Sequence, residues 1–249
     1  MWGDDGGYCD WSSAWAGVVY VAERLFNGNN EPDANLLEKR FAALCHGNYK
    51  DHLVASELSF VGEFGNLMAS ALLWDDPLLG IYWKEKAAEN TAFWPYAMER
   101  FKKIKETLIH SHRGKAGDME HALRIAALLW LKTKINLELY VAYNSRDTEK
   151  LQSLCPLIQE MIKLYQELAK SFRKQWYDRC KTFGFEVIQN RLAGLAARYE
   201  ELYTRLKELL AGEILSIPEF EEMITNPKGA LASKYDFLAT ASVNSVTTL

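Results

Sequence analysis

The sequence predicts an all-α fold: a multi-helix bundle built around one long antiparallel helix pair. Two stretches, Pro156–Thr182 and Phe185–Ala211, carry apolar residues at spacings of three and four, the period of a single helix face. Glycine and proline, the residues that interrupt helices, number 15 and six in 249 residues and become sparse after Gly117. No segment alternates apolar and polar residues cleanly enough to read as a strand.

Taken in order, Cys9–Phe26 reads as a helix that is apolar on most sides and therefore expected to be buried. Asn27-Gly28-Asn29-Asn30-Glu31-Pro32 stops it. Leu36–Leu44 and His52–Leu58 are short helices, and Phe60–Ala71 is irregular. Asp75-Asp76-Pro77-Leu78-Leu79-Gly80 reads as a turn leading into a helical turn, with proline near its first position and the aspartates as capping residues. Phe93–His110 is a helix, and Asp118–Ala142 a second one, apolar nearly all round from Ala122 to Leu131 and so central in the bundle. The Pro156 and Phe185 helices follow, with Gly184 between them in the role of a C-cap. The short connection makes them antiparallel neighbours. Ser216-Ile217-Pro218-Glu219 reads as a capping box that opens a last short helix. The tail from Ser233 has few charges and many small residues and is expected to be poorly ordered.

Composition excludes several classes. With 29 basic and 33 acidic residues, net charge −4, there is no electrostatic footprint for nucleic acid. The run Lys102-Lys103-Ile104-Lys105 sits among acids, as on a solvated helix face. The apolar stretch Ala122–Leu131 is broken by Arg124 and is too short to cross a bilayer. Cys9, Cys45, Cys155 and Cys180 are widely spaced with no CxxC pair, which reads as free thiols in a reducing, cytoplasmic compartment. Cys180 reads as a buried structural thiol.

His110, Ser111, His112, Asp118 and His121 form a metal-like cluster, but it spans two helix ends and a glycine-containing loop. Helix-terminal histidines are explained by the macrodipole, so no metal and no cofactor is expected. Eight Trp, 12 Tyr and 11 Phe lie mostly at core spacing; Trp2, Trp11 and Trp74 stand apart, among glycines, acids or prolines. Trp2-Gly3-Asp4-Asp5-Gly6-Gly7 combines a flat apolar face, two acceptors and three glycines that allow close backbone approach. That chemistry suits a sugar pocket.

Four stretches together resemble glycoside hydrolase family 20 β-N-acetylhexosaminidases. Trp2-Gly3-Asp4-Asp5-Gly6-Gly7, with the helix ending Ala22-Glu23-Arg24-Leu25-Phe26, resembles the last strand and helix of the family's (β/α)8 barrel. Leu72-Leu73-Trp74-Asp75-Asp76-Pro77-Leu78-Leu79-Gly80 resembles a segment of the helical C-terminal domain in the branch that has one. Lys132–Arg146 is similar to its central helix, and Gly184-Phe185-Glu186-Val187, with Arg191, Gly194 and Arg198, to its penultimate long helix. The resemblance implies a barrel remnant over 1–27, a C-terminal helical domain over 28–232, and a tail over 233–249. It implies that Trp2 stacks on a terminal N-acetylhexosamine and that Asp4, with Asp5 as a helper, accepts hydrogen bonds from its hydroxyls.

The family's catalytic Asp-Glu dipeptide, in which Glu is the general acid and Asp steers the substrate's acetamido nucleophile, occurs nowhere in this sequence. The expectation is therefore a chain inactive alone, partnered by a missing catalytic barrel and supporting a homodimer. A free-standing helical protein–protein interaction module is the alternative from a different class.

Overall fold

The structure, a computed structural model, describes residues 11–28, 30–59, 61–62, 65–66, 69–80, 92–111 and 119–221. Trp2, Asp4, Asp5 and the tail from Ser233 lie outside these residues. The described chain is all-α apart from a two-residue antiparallel pair, Val61–Gly62 with Gly65–Asn66, inside the stretch expected to be irregular. The helices are α1 (Trp15–Phe26), α2 (Ala34–Cys45), α3 (Tyr49–Ser56), α4 (Ala69–Trp74), α5 (Phe93–Leu108), α6 (Glu120–Ser145), α7 (Thr148–Arg179), α8 (Phe185–Leu210) and α9 (Pro218–Glu221). They fall into two compact units: residues 1–70 with 99–127, and 71–98 with 128–249.

In the first unit, local caps set the helix starts. The Asp33 carboxylate accepts the Leu36 N–H at 2.8 Å to open α2. Asn48 Oδ1 accepts from Lys50 and Asp51 N–H and starts α3 three residues before the expected His52. His52 is buried, its ring edge-on to Phe41 at 4.8 Å and parallel to Trp15 at 6.4 Å. Ala16, Phe41 and Cys45 form the adjoining core, with Trp15, Val19 and Tyr49 packed on it. Burial raises the pKa of the Cys45 thiol.

The expectation of a buried first helix is corrected here. Ala16 is the buried residue of α1, while Val18, Val21, Leu25 and Phe26 are exposed, Phe26 at 84%. The inner face finds Phe41 and Cys45, while the outer face stays largely exposed.

In the second unit, α7 and α8 form the expected antiparallel pair. The Tyr165 and Tyr199 rings lie 5.6 Å apart, tilted by 32°, and Trp176 meets Phe185 at 6.2 Å. Numbers rising along α7 pair with numbers falling along α8. The seam Ile158, Met161, Tyr165, Leu168 and Phe172 against Ile188, Leu192, Leu195, Tyr199, Leu202 and Leu206 is buried throughout.

Two boundaries depart from expectation. Helix α7 starts at Thr148, not at Pro156, because the Asp147 carboxylate caps it and Leu151, Leu154 and Cys155 are already buried. Packing of two extra turns outweighs the N–H that Pro156 lacks. Gly184 is the N-cap of α8 rather than the C-cap of α7, which closes instead on Cys180 in extended conformation. At φ +100° Gly184 lets the chain turn under Trp176, whose ring would lie 3.0 Å from a Cβ there. Trp176 Nε1–H donates to Lys181 O at 2.7 Å, and the Gly184 N–H to Glu186 Oε2 at 2.8 Å.

The remaining corner is tied by Tyr143. Its hydroxyl accepts the Ile217 N–H at 2.8 Å and donates to Glu221 Oε1 at 2.9 Å. Helix α9 therefore begins at Pro218, after Ile217, one residue later than the expected cap at Ser216 would place it.

Candidate functional site

The chemistry of the second unit concentrates where α6, α7 and α8 close around the end of α4 and the turn after it. Helix α6 is the central apolar helix, and Lys132 stands on its core face, completely buried. A buried ammonium needs each donor satisfied. Lys132 Nζ donates to the Asp75 carbonyl at 2.5 Å, the Leu73 carbonyl at 3.3 Å and the Tyr165 hydroxyl at 3.0 Å. The Tyr165 hydroxyl in turn donates to Leu73 O at 2.7 Å. The Tyr199 ring centroid lies 5.8 Å from the ammonium, within cation–π range, whereas Tyr165 meets it through the hydroxyl, along its C–O axis.

Two carboxylates complete the cluster. Asp75 and Asp76 are 1% and 2% exposed. Asp76 Oδ1 accepts the Leu78 and Leu79 N–H groups, both at 2.8 Å, which is the turn-capping role the sequence indicates. Asp76 Oδ2 also accepts from Arg198 Nε on α8 at 2.7 Å. Arg191, about two turns of α8 earlier, lies over the Trp74 ring at 5.7 Å, and Trp74 packs on Phe172 of α7 at 6.5 Å. Trp74, set apart in sequence by its acidic and proline neighbours, is thus a core residue, 7% exposed.

The electrostatics follow from burial. Desolvation lowers the Lys132 pKa from 10.5 to about 8, with the Asp75 and Asp76 charges opposing. Burial, then the neighbouring charges, raises Tyr165 and Tyr199 well above the ordinary tyrosine value. All three Lys132 donors are engaged and no solvent reaches it, so the cluster fastens Leu73–Gly80 to α6, α7 and α8; it does not present a nucleophile. A cavity of about 10 Å3 lined by Leu139, Tyr140, Tyr143, Asn144 and Phe220 has room for one water and none for a sugar.

The other residues singled out from sequence are described only in part. His110 is exposed, Ser111 is half-buried and donates to Leu108 O at 2.7 Å, and His121 is buried; His112 and Asp118 lie outside the described residues. Among the described residues no group of three or more His, Cys, Asp or Glu side chains could hold a metal. Cys180 is exposed, against the expectation of a buried thiol, because α7 ends there. Trp2, Asp4 and Asp5 fall outside the described residues. Sequence reasoning missed Lys132 as a focus; the available signal was a lysine placed in register with Leu128 and Ile135 on the core face of an apolar helix.

Among the described residues no helix is long and apolar enough to cross a membrane. No curated protein matches the chain. The family model of the Glycoside Hydrolase 20C C-terminal domain matches residues 63–234, more than half of the 249-residue chain. Every member of the Lys132 cluster lies within that span. The chain whose α6, α7 and α8 lock onto the Leu73–Gly80 turn in this way belongs to the glycoside hydrolase 20C C-terminal domain family.

Proposed function

We propose that this chain is the C-terminal helical part of a family 20 β-N-acetylhexosaminidase, and that with a catalytic barrel it serves removal of terminal N-acetylhexosamine residues. The observation that carries the reading is the family match over 63–234. Residues 1–27 bring the last corner of the barrel. Trp2 stacks on the apolar face of the terminal sugar, Asp4 accepts from its hydroxyls, and Asp5 assists. None of them transfers a proton. The helical domain, 28–232, supports the barrel; α1, within 1–27, leaves Val18, Val21, Leu25 and Phe26 exposed, apolar side chains that the rest of the barrel would cover. The protein works in the cytoplasm as a homodimer.

By itself the chain is inactive, because the Asp-Glu dipeptide is absent from it and a barrel's active face needs loops from several strands. The test is an assay of the purified 249-residue chain on an aryl N-acetyl-β-glucosaminide, alone and with a family 20 barrel. No turnover alone is expected. With the barrel, Trp2→Ala and Asp4→Ala should raise KM more than they lower kcat. Turnover by the chain alone that survives repurification and disappears on Asp4→Ala would overturn the reading.

A further inference from the structure

The α7–α8 hairpin is polarised along its length in both charge and exposed apolar surface. Its connecting end, residues 170–187, carries five basic residues, among them Arg173, Lys174 and Lys181, against two acidic ones. The opposite end, residues 147–160 and 200–221, carries nine acidic residues, among them Glu208 and Glu213, against three basic ones. In a chain of net charge −4 the first is a distinct positive region. Each end also exposes apolar side chains: Phe183 at 88% and Tyr177 at 47% in the basic one, Leu215 at 94% in the acidic one. Such side chains gain most from a partner surface that is both apolar and oppositely charged, and the chain itself supplies one at its other end.

We infer that two copies of this chain pair through their α7–α8 hairpins, side by side and antiparallel, with the basic end of each on the acidic end of the other. The inference deepens the homodimer in the function proposed above by naming its surface. Helix α8, 26 residues long, spans about 39 Å at 1.5 Å per residue. A twofold axis near its midpoint brings both end-to-end contacts into register at once, since an isologous interface repeats every contact. Ala193 and Ala197, exposed and small, stand near that midpoint and let two α8 helices approach closely. Antiparallel pairing closes on itself, so it stops at two copies.

Charge-swapped variants of the full 249-residue chain test this by sedimentation velocity across a concentration series, with circular dichroism to verify that helix content is kept. The wild type is expected to dimerise, with Kd at least tenfold weaker in 1 M salt than in 0.1 M, as screened charges require. Lys174→Glu/Lys181→Glu and Glu208→Lys/Glu213→Lys should each be monomeric where the wild type is dimeric. An equimolar mixture of the two should form a dimer, because both contacts in the mixed pair are then of opposite charge. Phe183→Ser should weaken the wild-type dimer without changing its salt dependence. A dimer indifferent to both swaps, a mixture that stays monomeric, or a wild type monomeric at every concentration would each overturn the inference. None of these outcomes bears on the glycosidase assay, and a dimer lost to Val21→Glu but not to the swaps would place the pairing on α1.

Discussion

Asp76 and Arg198 meet at 2.7 Å although 122 positions separate them, and the carboxylate that Arg198 engages is at once the cap of its own turn. One side chain therefore fixes the local shape of the Pro77–Gly80 turn and its attachment to α8. Removing the arginine strands a carboxylate that is 2% exposed. Arg198→Ala should cost about 2–3 kcal/mol of stability, below the full value for a buried pair because Arg198 is itself partly exposed. Asp76→Asn, which keeps an acceptor for both N–H groups, should cost less. Urea unfolding of the two variants checks the order; equal losses would mean that the cost is loss of the pair itself, with nothing added by leaving the carboxylate charged and unpaired.

Lys132 predicts a pH dependence whose sign can be worked out. Its native pKa is lowered to about 8 by burial, whereas an unfolded lysine keeps its proton to about 10.4. Between these values the unfolded chain binds more protons, so this residue's contribution to stability rises with pH. Below pH 8 both states are charged and the burial penalty is fully present. Tyr165 and Tyr199, with pKa values raised by burial, act the opposite way once unfolded tyrosine ionises at about pH 10. Relative to Lys132→Met, the wild type should gain about 2 kcal/mol of stability from pH 8 to 10, as the lysine's burial penalty lifts. Denaturant melts of both proteins across that range measure it, and a flat difference would show Lys132 charged throughout.

Gly184 and Gly212 make a matched pair of substitutions. Both have positive φ, +100° and +75°, but a Cβ at Gly184 also meets the Trp176 ring, while one at Gly212 meets nothing within 4 Å. Gly212→Ala should cost about 1 kcal/mol, the backbone strain alone. Gly184→Ala should cost about 2–3 kcal/mol, and should disturb the near-ultraviolet signal of Trp176. Thermal melts of the two variants decide; equal costs would mean that Trp176 swings away freely.

Helix α1 should be among the less protected elements. Ala16 is its buried residue, while α6 buries Leu128, Leu129, Leu131, Lys132, Ile135 and Leu139 over less than four turns. Local opening is cheapest where few apolar contacts are lost. Amide exchange over Val18–Phe26 should be faster than over Leu128–Leu139, and should slow when a catalytic barrel is added. Exchange equally slow in the free chain would argue that α1 needs no cover.

The long helices were legible because their signal is local and repeated. A three–four apolar rhythm over some 26 residues, as in α8, admits one reading, and the pairing with α7 follows from the short connection. The family segment Leu72–Gly80 was legible too, as a motif. Sequence also identified Asp76 as a capping residue, since a cap acts within three positions. It could not show that the same carboxylate reaches Arg198, or that Lys132 fills its three donor positions with Leu73, Asp75 and Tyr165. Those partners lie 33 to 122 positions apart, and no periodicity encodes such distances.

Where the start of α7 was misplaced, at Pro156, a local rule met a tertiary gain: burial of Leu151, Leu154 and Cys155 exceeds the loss of one backbone hydrogen bond. The outer face of α1 was misjudged for the converse reason. Its apolar pattern states that the face should be covered, but which surface covers it is settled by packing. The sequence alone determined the helices and the family, because propensity, capping and apolar period act over a few residues. Only the tertiary structure decided that a buried lysine and an aspartate–arginine pair hold the turn, because desolvated charges are tolerated only where distant chain segments supply every partner.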